Sequence, residues 1–377
     1  MKIVADENMP LVAELFGAFG EVITAPGRRI DRDLVADADV LLVRSVTPVD
    51  QRLLGGSRVG FVGSATIGTD HLDLAWLVTR NTAWANAPGC NAAAVADYVL
   101  AALCAIAPGW RAQTVAIVGC GNVGGGLYRR LQALAVETLC FDPFLDQRCG
   151  LPLVPFEQVL AADIICLHTP LTRSGPHPTW HLFDAGALAR LRPGTLVLNA
   201  GRGEVIDNRA LFAELERGRL GAVLDVWEGE PDIAADLLAR VAIGTPHIAG
   251  YSLEGRIRGT LMVYNAFCRW AGVAAALSLD EALARVPGLA AGPLGLAVDG
   301  AASFEGLVLD AYDPRRDHRQ LLAALAGTSA GGAAFDALRK NYPWRREFSH
   351  YVPEGTIPQA LAPLLRGAGF ALDVAPC

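Results

Sequence analysis

The sequence predicts an α/β protein with two doubly wound parallel-sheet domains and a cleft between them, followed by a small C-terminal α+β domain. Two observations predict the parallel sheets. Apolar strand patterns alternate with helical patterns as far as Pro246, as they do in chains that build parallel sheets. One strand also runs into a glycine-rich turn and a helix between residues 114 and 134. Residues 284–377 carry only short apolar runs, which indicates a smaller domain.

The first α/β unit is predicted in residues 1–92. Its candidate strands are the apolar runs at Lys2–Ala5, Glu21–Thr24, Val40–Arg44 and Arg58–Val62. Its candidate helices are Leu11–Phe19, Leu53–Leu54 and one that begins near Thr69–Asp73. A long helix predicted at Gly255–Gly272 returns to this unit. Residues 1–92 and 251–283 are therefore predicted to form a discontinuous substrate-binding domain.

The second domain, residues 93–250, contains a dinucleotide-binding βαβ pattern. The apolar residues Thr114–Val118 run into Gly119-x-Gly121-x-x-Gly124, leucines follow at helical spacing, and Asp142 ends the next apolar run. In such a unit the helix N-terminus binds a pyrophosphate and the terminal acid binds a ribose. This predicts a Rossmann-like domain. Its expected cofactor contacts are Gly119, Gly121, Asn122, Val123, Gly124 and Asp142.

The charge of Asp142 favours NAD over NADP as the cofactor. A phosphate on the adenosine ribose would be repelled by this carboxylate, and residues 143–147 offer no cation. The rest of the domain follows the same alternating pattern. It comprises a helix at residues 93–107, strands at Asp163–Leu167, Thr195–Asn199 and Gly221–Val226, and helices at Ala185–Leu191 and Arg209–Gly218.

Composition argues against several classes of protein. A net charge of −7 without a lysine- or arginine-rich run gives no sign of nucleic-acid binding. The eight cysteines form neither a CxxC pair nor a Cys/His cluster, which predicts a reducing compartment and no metal. The apolar stretch Ala92–Ala107 contains Asp97 and is too short to span a bilayer. Because no signal peptide is evident either, we expect a cytoplasmic protein without a membrane partner.

Three further segments follow predicted strands and carry Arg202, Glu230 and His247. The carboxyl ends of strands in an open parallel sheet face the ligand crevice, so these side chains could meet there. An arginine can hold a carboxylate, and a histidine oriented by a glutamate can take a hydroxyl proton. The pattern is typical of 2-hydroxy acid oxidation. Each residue type also occurs at such positions for structural reasons, and spacing alone does not bring the three together.

Over roughly residues 1–275, these segments resemble the conserved blocks of the D-isomer-specific 2-hydroxyacid dehydrogenases, in the same order. The resemblance implies that Arg202, Glu230 and His247 are catalytic and that His247 is the proton donor and acceptor. It also implies that NAD is contacted by Thr169, Ala200, Gly201, Arg202, Asp225 and Gly250.

Other blocks resemble the branch of this family that oxidises 4-phospho-D-erythronate during the synthesis of pyridoxal 5′-phosphate (vitamin B6). These blocks are Asp6–Pro10, Val43–Thr47, Ala65–His71, Ala87–Asn91, Asp225–Pro231, His247–Tyr251 and Lys340–Glu347. The resemblance implies that Ser45, Thr66 and Tyr251 contact the substrate and that the C-terminal domain supports a homodimer. Further candidates for binding the substrate are Arg44, Arg345 and Arg346, whose guanidinium groups suit a phosphate.

Two alternatives share these features. One is another D-2-hydroxyacid dehydrogenase, such as an enzyme that acts on 3-phosphoglycerate. It would keep the same three catalytic residues and the NAD site, but a four-carbon phosphate needs its cationic contact farther from Arg202. The other is an NAD(H)-sensing regulatory protein, since such proteins can retain the three residues without turning over an acid.

Overall fold

The computed structural model describes residues 1–274, 277–286, 294–298, 303–327 and 330–372. The chain divides into two compact units. Unit 1 contains Met1–Asn91 and Ser252–Ala291, and unit 2 contains Ala92–Tyr251 and Gly292–Cys377. The structure thus groups most of the region predicted as a separate C-terminal domain with the dinucleotide-binding region.

Parallel strands form the centre of both units. In the described residues the strands are β1 (Lys2–Asp6), β2 (Glu21–Ala25), β3 (Val40–Val43), β4 (Phe61–Ser64), β5 (Ala83–Ala85), β6 (Val115–Val118), β7 (Thr138–Phe141), β8 (Ile164–Leu167), β9 (Leu196–Asn199), β10 (Gly221–Leu224), β11 (Ile243–Gly244), β12 (Leu294–Val298) and β13 (Tyr351–Gly355). The sheet of unit 1 has the order β2-β1-β3-β4-β5, and the large sheet of unit 2 has the order β11-β10-β9-β8-β6-β7. Strands β12 and β13 pair separately. These sheets confirm the predicted α/β class.

Helices supply the crossovers that parallel strands need. The α-helices in the described part of the chain are α1 (Val12–Phe16), α2 (Arg32–Val35), α3 (Gln51–Leu54), α4 (Leu74–Thr79), α5 (Ala92–Ile106), α6 (Asn122–Ala133), α7 (Phe156–Val159), α8 (Ala185–Arg190), α9 (Asn208–Glu216), α10 (Ala235–Leu238), α11 (Leu253–Ala271), α12 (Leu279–Leu283), α13 (Phe304–Ala311), α14 (Pro314–Leu325), α15 (Gly331–Lys340) and α16 (Ala362–Ala368). None of the described helices is both long and apolar enough to cross a membrane.

Capping side chains fix where several helices begin. Asp73 and Asp207 each accept a backbone N–H from the first turn of α4 and α9, and Ser252 does the same for α11. Such a cap satisfies an N–H group that has no partner within the helix. The cap at Asp73 explains why the helix expected near Thr69–Asp73 begins at Leu74.

Unit 1 is held together by the packing of α11 on its sheet. Phe267 on this helix is fully buried and packs edge-to-face against Phe61 of β4. Next to them, a Cβ atom at Gly63 would overlap the side chain of Val263. Glycine at position 63 therefore allows the helix to approach the strand closely, and α11 belongs to the same unit as β1–β5.

The C-terminal segment packs on the dinucleotide-binding region of unit 2. Helix α13 lies against α5, and α16 lies against α6. Phe304, Leu307 and Val308 are buried in the same hydrophobic cluster as Tyr98 of α5. Of the apolar runs noted in this region, Leu294–Val298 is strand β12 and Gly306–Leu309 lies within α13. The third, Ala371–Val374, extends past the last described residue.

A buried acid adds a polar connection between these segments. Asp97 on α5 forms an ion pair with Arg130 on α6, and its Oδ2 atom accepts the backbone N–H of Phe348 at 3.0 Å. Burial raises the pKa of Asp97, an effect that the charge and hydrogen bond of Arg130 oppose. Asp97 therefore joins α5, α6 and the C-terminal segment at one point.

Candidate active site

Six strand ends form one edge of the large sheet in unit 2. Register places their last residues side by side: Phe141, Val118, Leu167, Asn199, Leu224 and Gly244. The polar residues predicted to act on ligands follow these strand ends. Arg202 comes after β9, Glu230 after β10 and His247 after β11, which are neighbouring strands. The topology thus brings three segments that are far apart in sequence to the same edge of the sheet.

The glycine turn that follows β6 has the backbone that a pyrophosphate site requires. Gly119 has a φ of +87°, a conformation that favours glycine. At Gly124 a Cβ atom would overlap the carbonyl oxygen of Gly119, whereas at Gly121 it would meet no atom within 4 Å. Helix α6 begins at Asn122. The first and third glycines therefore shape the turn, and the second leaves space at the helix N-terminus for a phosphate group.

Two glycines on α6 give a matched test of this turn. We expect Gly124→Ala to lower the free energy of unfolding by about 1–3 kcal/mol, because the new methyl group must displace the turn. Because the displaced turn is the expected pyrophosphate site, the Kd for NAD should rise in Gly124→Ala. Gly126→Ala should instead stabilise the protein by about 1 kcal/mol through helix propensity, since its Cβ would meet only the Arg129 side chain, at 3.9 Å.

Denaturant unfolding and calorimetric NAD titration would measure both effects. A Gly124→Ala variant that binds NAD as tightly as Gly126→Ala would contradict the role assigned to the third glycine.

Asp142 lies beside this turn with its carboxylate held in place. Its two oxygens accept the backbone N–H groups of Cys120 at 2.9 Å and of Phe144 at 3.0 Å. Each carboxylate oxygen can accept more than one hydrogen bond. Asp142 is therefore oriented by the backbone while it keeps capacity for the hydroxyl groups of a ribose.

Buried polar groups at the end of β8 also fit a bound cofactor. Within the described part of the chain, neither ring nitrogen of His168 has a hydrogen-bond partner, and the Oγ1 atom of Thr169 has none either. Burial lowers the pKa of His168 to about 4, so its ring is neutral near pH 7. Buried polar groups in proteins are normally hydrogen-bonded, so these two side chains suit a polar ligand at this edge. Thr169 was expected from the sequence, whereas His168 was not, although it is the adjacent residue.

His247 and Glu230 form a hydrogen-bonded pair. Nδ1 of His247 lies 2.8 Å from Oε2 of Glu230, and Oε1 of Glu230 accepts the backbone N–H of Trp227 at 2.8 Å. A carboxylate can only accept, so we assign the Nδ1 proton to the hydrogen bond and leave Nε2 of His247 available for proton exchange. His247 has a φ of +56°, an uncommon conformation in which histidine is enriched.

The pKa of Glu230 reflects this pairing. Burial acts to raise the pKa, but the charge and hydrogen bond of His247, the charge of Arg339 and the Trp227 N–H group bring it below its usual value. Glu230 is therefore ionised near pH 7 and can orient and stabilise a protonated imidazole.

Asp225 organises the loop that carries His247. Its side chain is 1% exposed. Oδ1 accepts from Oγ1 of Thr245 at 2.6 Å and from the N–H of Ile248 at 2.7 Å, and Oδ2 accepts the N–H of Ala249 at 2.9 Å. The backbone carbonyl of Asp225 accepts the N–H of His247 at 2.8 Å. The carboxylate expected to contact NAD thus makes three hydrogen bonds within the protein.

Arg202 lies in a loop that Asn199 holds. The Asn199 amide donates to the carbonyl of Arg202 at 2.8 Å, and its Oδ1 atom accepts the N–H of Gly201 at 3.0 Å. The guanidinium of Arg202 is half-buried, and its Nη1 atom donates to the carbonyl of Gly201 at 2.9 Å. Ala200 and Gly201 continue this loop from β9.

Gly250 and Tyr251 end the loop that carries His247. In this loop the backbone N–H of Tyr251 donates to the carbonyl of Ile248 at 2.8 Å.

Ser45 and Thr66 lie in unit 1, at the ends of the paired parallel strands β3 and β4. Ser45 is exposed and follows Arg44, which is half-buried. Oγ1 of Thr66 lies 2.8 Å from Oγ of Ser64, which in turn lies 2.9 Å from Nε2 of His71. Thr66 thus takes part in a hydroxyl–imidazole cluster, and its predicted substrate contact, like that of Ser45, stays a prediction.

Arg345 and Arg346 are 7% and 6% exposed. Arg345 donates to the carbonyls of Ala94 and Ala249, and its guanidinium carbon lies 4.3 Å from the ring centroid of Tyr312. Its Nε and Nη1 atoms have no hydrogen-bond partner among the described residues, and the predicted contacts of Arg345 and Arg346 with a substrate phosphate stay predictions. The hydrogen bond to Ala249 places Arg345 next to the His247 loop.

The described residues contain neither a metal-binding cluster nor a disulfide bond. That part of the chain holds no cluster of three or more His, Cys, Asp or Glu side chains able to bind a metal ion. Its cysteines, Cys90, Cys104, Cys120, Cys140, Cys149, Cys166 and Cys268, are free thiols.

Comparison with known families gives two matches. Residues 105–249 match the family model described as D-isomer specific 2-hydroxyacid dehydrogenase, NAD binding domain. Residues 290–367 match a model described as a domain of unknown function. The first match covers the glycine turn, Asp142, Arg202, Glu230 and His247. The second covers the C-terminal segment that packs on α5 and α6.

Curated relatives and solved structures extend this comparison. The chain is 50% identical over 356 residues to erythronate-4-phosphate dehydrogenase of Cellvibrio japonicus, covering 93% of this chain and 94% of the relative. It is 49% identical to erythronate-4-phosphate dehydrogenase of Teredinibacter turnerae over the whole of both chains. A crystal structure of D-lactate dehydrogenase from Aquifex aeolicus, complexed with NAD and lactic acid, matches with a TM-score of 0.62 at 18% identity. That match covers 72% of this chain and 96% of the other, and it supports the fold.

Proposed function

The chain belongs to the D-isomer specific 2-hydroxyacid dehydrogenase family and, within it, to the erythronate-4-phosphate dehydrogenases, and we propose that it oxidises 4-phospho-D-erythronate with NAD. The product is (R)-3-hydroxy-2-oxo-4-phosphooxybutanoate, on the route to pyridoxal 5′-phosphate. One observation carries the proposal. The hydrogen-bonded His247–Glu230 pair lies at the carboxyl edge of the large sheet. The glycine turn after β6 and Asp142 after β7 lie at the same edge of that sheet.

In this reaction the three side chains divide the work of alcohol oxidation. Arg202 binds the substrate carboxylate and polarises the adjacent C2–O bond, because its planar guanidinium matches a carboxylate. His247 accepts the C2 hydroxyl proton at Nε2. Glu230 holds the imidazole through Nδ1 and stabilises the positive charge that His247 acquires. Tyr251, which ends the same loop as His247, is a further residue of unit 2 that we propose as a substrate contact.

The residues at the sheet edge fit NAD. The backbone of Gly119–Gly124 would hold the pyrophosphate, Asp142 the adenosine ribose, and His168 and Thr169 polar atoms nearer the nicotinamide. Thr169, Ala200, Gly201 and Gly250 all lie in loops that leave this edge. When bound, NAD accepts the hydride from C2 of the substrate. The side chain of Asp225 serves chiefly to order the loop that carries His247.

We further propose that the protein works as a homodimer in the cytoplasm. Two observations support a dimer through the C-terminal region, residues 284–377. Trp344 is 52% exposed and Leu294 is 37% exposed, so this region offers two apolar side chains that a partner could bury. The negative net charge of −7 supports the absence of a nucleic-acid partner. We assign substrate binding to residues 1–92 and 251–283, and cofactor binding to residues 93–250.

A comparison of substrates tests the proposed reaction. We expect kcat/KM for 4-phospho-D-erythronate to exceed that for 3-phosphoglycerate by at least about tenfold, since loss of a matched polar contact costs roughly 1.4 kcal/mol or more. NADH formation measured at 340 nm under identical conditions gives both values. A preference for 3-phosphoglycerate would contradict the proposed substrate and favour the first alternative, a D-2-hydroxyacid dehydrogenase that acts on 3-phosphoglycerate. Tight NAD binding without turnover of any hydroxy acid would favour the regulatory alternative.

A further inference from the structure

Helix α15 brings a buried arginine from the C-terminal segment to Tyr251, at the end of the loop that carries His247. The side chain of Arg339 is 10% exposed, and its guanidinium carbon lies 5.6 Å from the ring centroid of Tyr251. Arg339 lies outside residues 105–249, which match the NAD-binding family model. No pattern in the sequence predicts a role for it. Its position raises the question of what a buried cation does beside the proton-transferring residues.

The first turn of α15 is anchored to the loop that contains Glu230. The backbone N–H of Gly332 donates to Oδ1 of Asp232 at 3.0 Å, and Asp232 follows Glu230 by two residues. A Cβ atom at position 332 would overlap the Asp232 carboxylate. One turn further along the helix, Phe335 is fully buried in the hydrophobic cluster that contains Trp227. These contacts fix the position of α15 relative to the Glu230 loop.

The other end of the helix is anchored at Tyr251. The ring of Tyr342, just beyond α15, packs edge-to-face on Tyr251 with 6.1 Å between the centroids. The hydroxyl of Tyr342 donates to Oδ2 of Asp317 at 2.9 Å. Tyr251 therefore contacts both Arg339 and Tyr342, and its ring orientation depends on the C-terminal segment.

The charge of Arg339 reaches Glu230. Burial acts to lower the pKa of Arg339, but the neighbouring Tyr251, Glu230 and Asp336 raise it above its ordinary value, so the guanidinium stays charged. The nearest Asp336 oxygen is 3.9 Å from Nη1, which is longer than a hydrogen bond. The positive charge of Arg339 thus acts partly on Glu230. Among the described residues, Asp225 is a further charged group that interacts electrostatically with His247.

We propose that Arg339 is a positioning residue for the oxidation: it holds Tyr251 in place and balances the charge of Glu230, which keeps His247 able to accept a proton. This inference rests on the proposed function. A carboxylate next to an imidazole favours the imidazolium form, which is the wrong form for a base. A fixed cation nearby reduces that preference, while the hydrogen bond that orients the ring remains.

Two variants of Arg339 test the proposal. In Arg339→Gln we expect kcat/KM for 4-phospho-D-erythronate to fall roughly tenfold near neutral pH, which corresponds to a shift of about one pH unit in the acidic limb of the profile. The limb should move toward higher pH, because loss of the cation favours protonated His247. Arg339→Lys should restore most of the wild-type profile, since it keeps the positive charge. The Kd for NAD should not change in either variant.

Arg315→Gln is the matched control. Arg315 lies in the same segment, its side chain is 43% exposed, and it pairs with Asp313 at 2.9 Å. The control should leave the pH profile unchanged. If Arg339→Gln lowers the melting temperature but leaves the profile as in wild type, Arg339 is only structural and the proposal is overturned.

A substrate-independent measurement separates this proposal from the proposed reaction. The titration of the His247 ring can be followed by NMR in wild type and Arg339→Gln, with His247→Gln to assign the signal. We expect the midpoint to move to higher pH in Arg339→Gln. An unchanged midpoint overturns the proposal about Arg339. A wild-type protein that oxidises no hydroxy acid overturns the proposed function, whatever the titration shows.

Discussion

Replacing His247 with alanine will lower kcat for 4-phospho-D-erythronate oxidation by about 10²- to 10⁴-fold, the range typical of general acid–base catalysis. The reason is that Nε2 of His247 is the only atom of the Glu230–His247 pair assigned to exchange a proton with the substrate. Glu230 is already engaged with Nδ1 at 2.8 Å and with the Trp227 N–H at 2.8 Å. Steady-state kinetics at the pH optimum of each protein would measure the loss.

The NAD site should be unaffected by this substitution, because Gly119–Gly124 and Asp142 make their contacts independently of His247. The Kd for NAD therefore serves as the control within the variant. His350→Ala is a matched control elsewhere, since the ring of His350 lies 3.2 Å from the hydroxyl of the adjacent Ser349. Near-wild-type turnover by His247→Ala would remove the base assignment and the mechanism built on it.

The second large effect is expected for Asp225→Ala. The substitution leaves the N–H groups of Ile248 and Ala249 and the hydroxyl of Thr245 without their acceptor. An unsatisfied buried group costs about 1–3 kcal/mol, so we expect the free energy of unfolding to fall by about 3–5 kcal/mol. Activity should fall too, because the same hydrogen bonds hold the loop that carries His247.

Chemical denaturation followed by tryptophan fluorescence would measure the loss of stability. Asp146→Ala is the control, since Asp146 pairs with the exposed Arg148 and both side chains face solvent. That variant should change stability by less than about 0.5 kcal/mol, as expected for an exposed site. If Asp225→Ala were as stable as Asp146→Ala, Asp225 could not be the acceptor that organises the loop.

The sequence predicted strands β6 to β10 of the dinucleotide-binding sheet but not the two-residue strand β11, and the central strands were clear because they are buried on both faces. Such strands are continuous apolar runs, and β6, β8 and β9 each have three or four fully buried residues. The observed bounds differ from the predicted ones by one or two residues, as for β10, which ends at Leu224 rather than Val226. Hydrogen bonding, rather than hydrophobicity, decides where such a strand ends.

The C-terminal segment was harder to predict, in part because helix α14 carries few apolar residues. Helix α14 contains Arg315, Arg316 and Arg319 in twelve residues and buries few side chains, among them Leu321. A signal was present: Asp313 caps the helix and Pro314 occupies its first turn, a combination typical of helix starts. Helix α15 has no such signal, since its first turn is capped by Asp232 from another part of the chain.

Site residues, too, could be predicted only where a local sequence pattern marks them. Arg202, Glu230 and His247 could be found because each follows a strand within a recognisable segment. Arg339 and His168 could not be found in this way, because their significance comes from what surrounds them in three dimensions. Arg339 reaches Tyr251 from 88 positions further along the chain, a distance that no local pattern encodes.

The buried carboxylate of Asp97 has a consequence for how this protein can be divided. It faces Arg130 on one side and the main chain at Phe348 on the other. A fragment that stopped after α11 would expose the surfaces of α5 and α6 that pack against α13 and α16, and it would remove the Phe348 N–H group from Asp97. The nucleotide-binding region of the enzyme is therefore not expected to fold without the C-terminal segment. Removing that segment by recombination or proteolysis should give an insoluble fragment rather than a smaller active dehydrogenase.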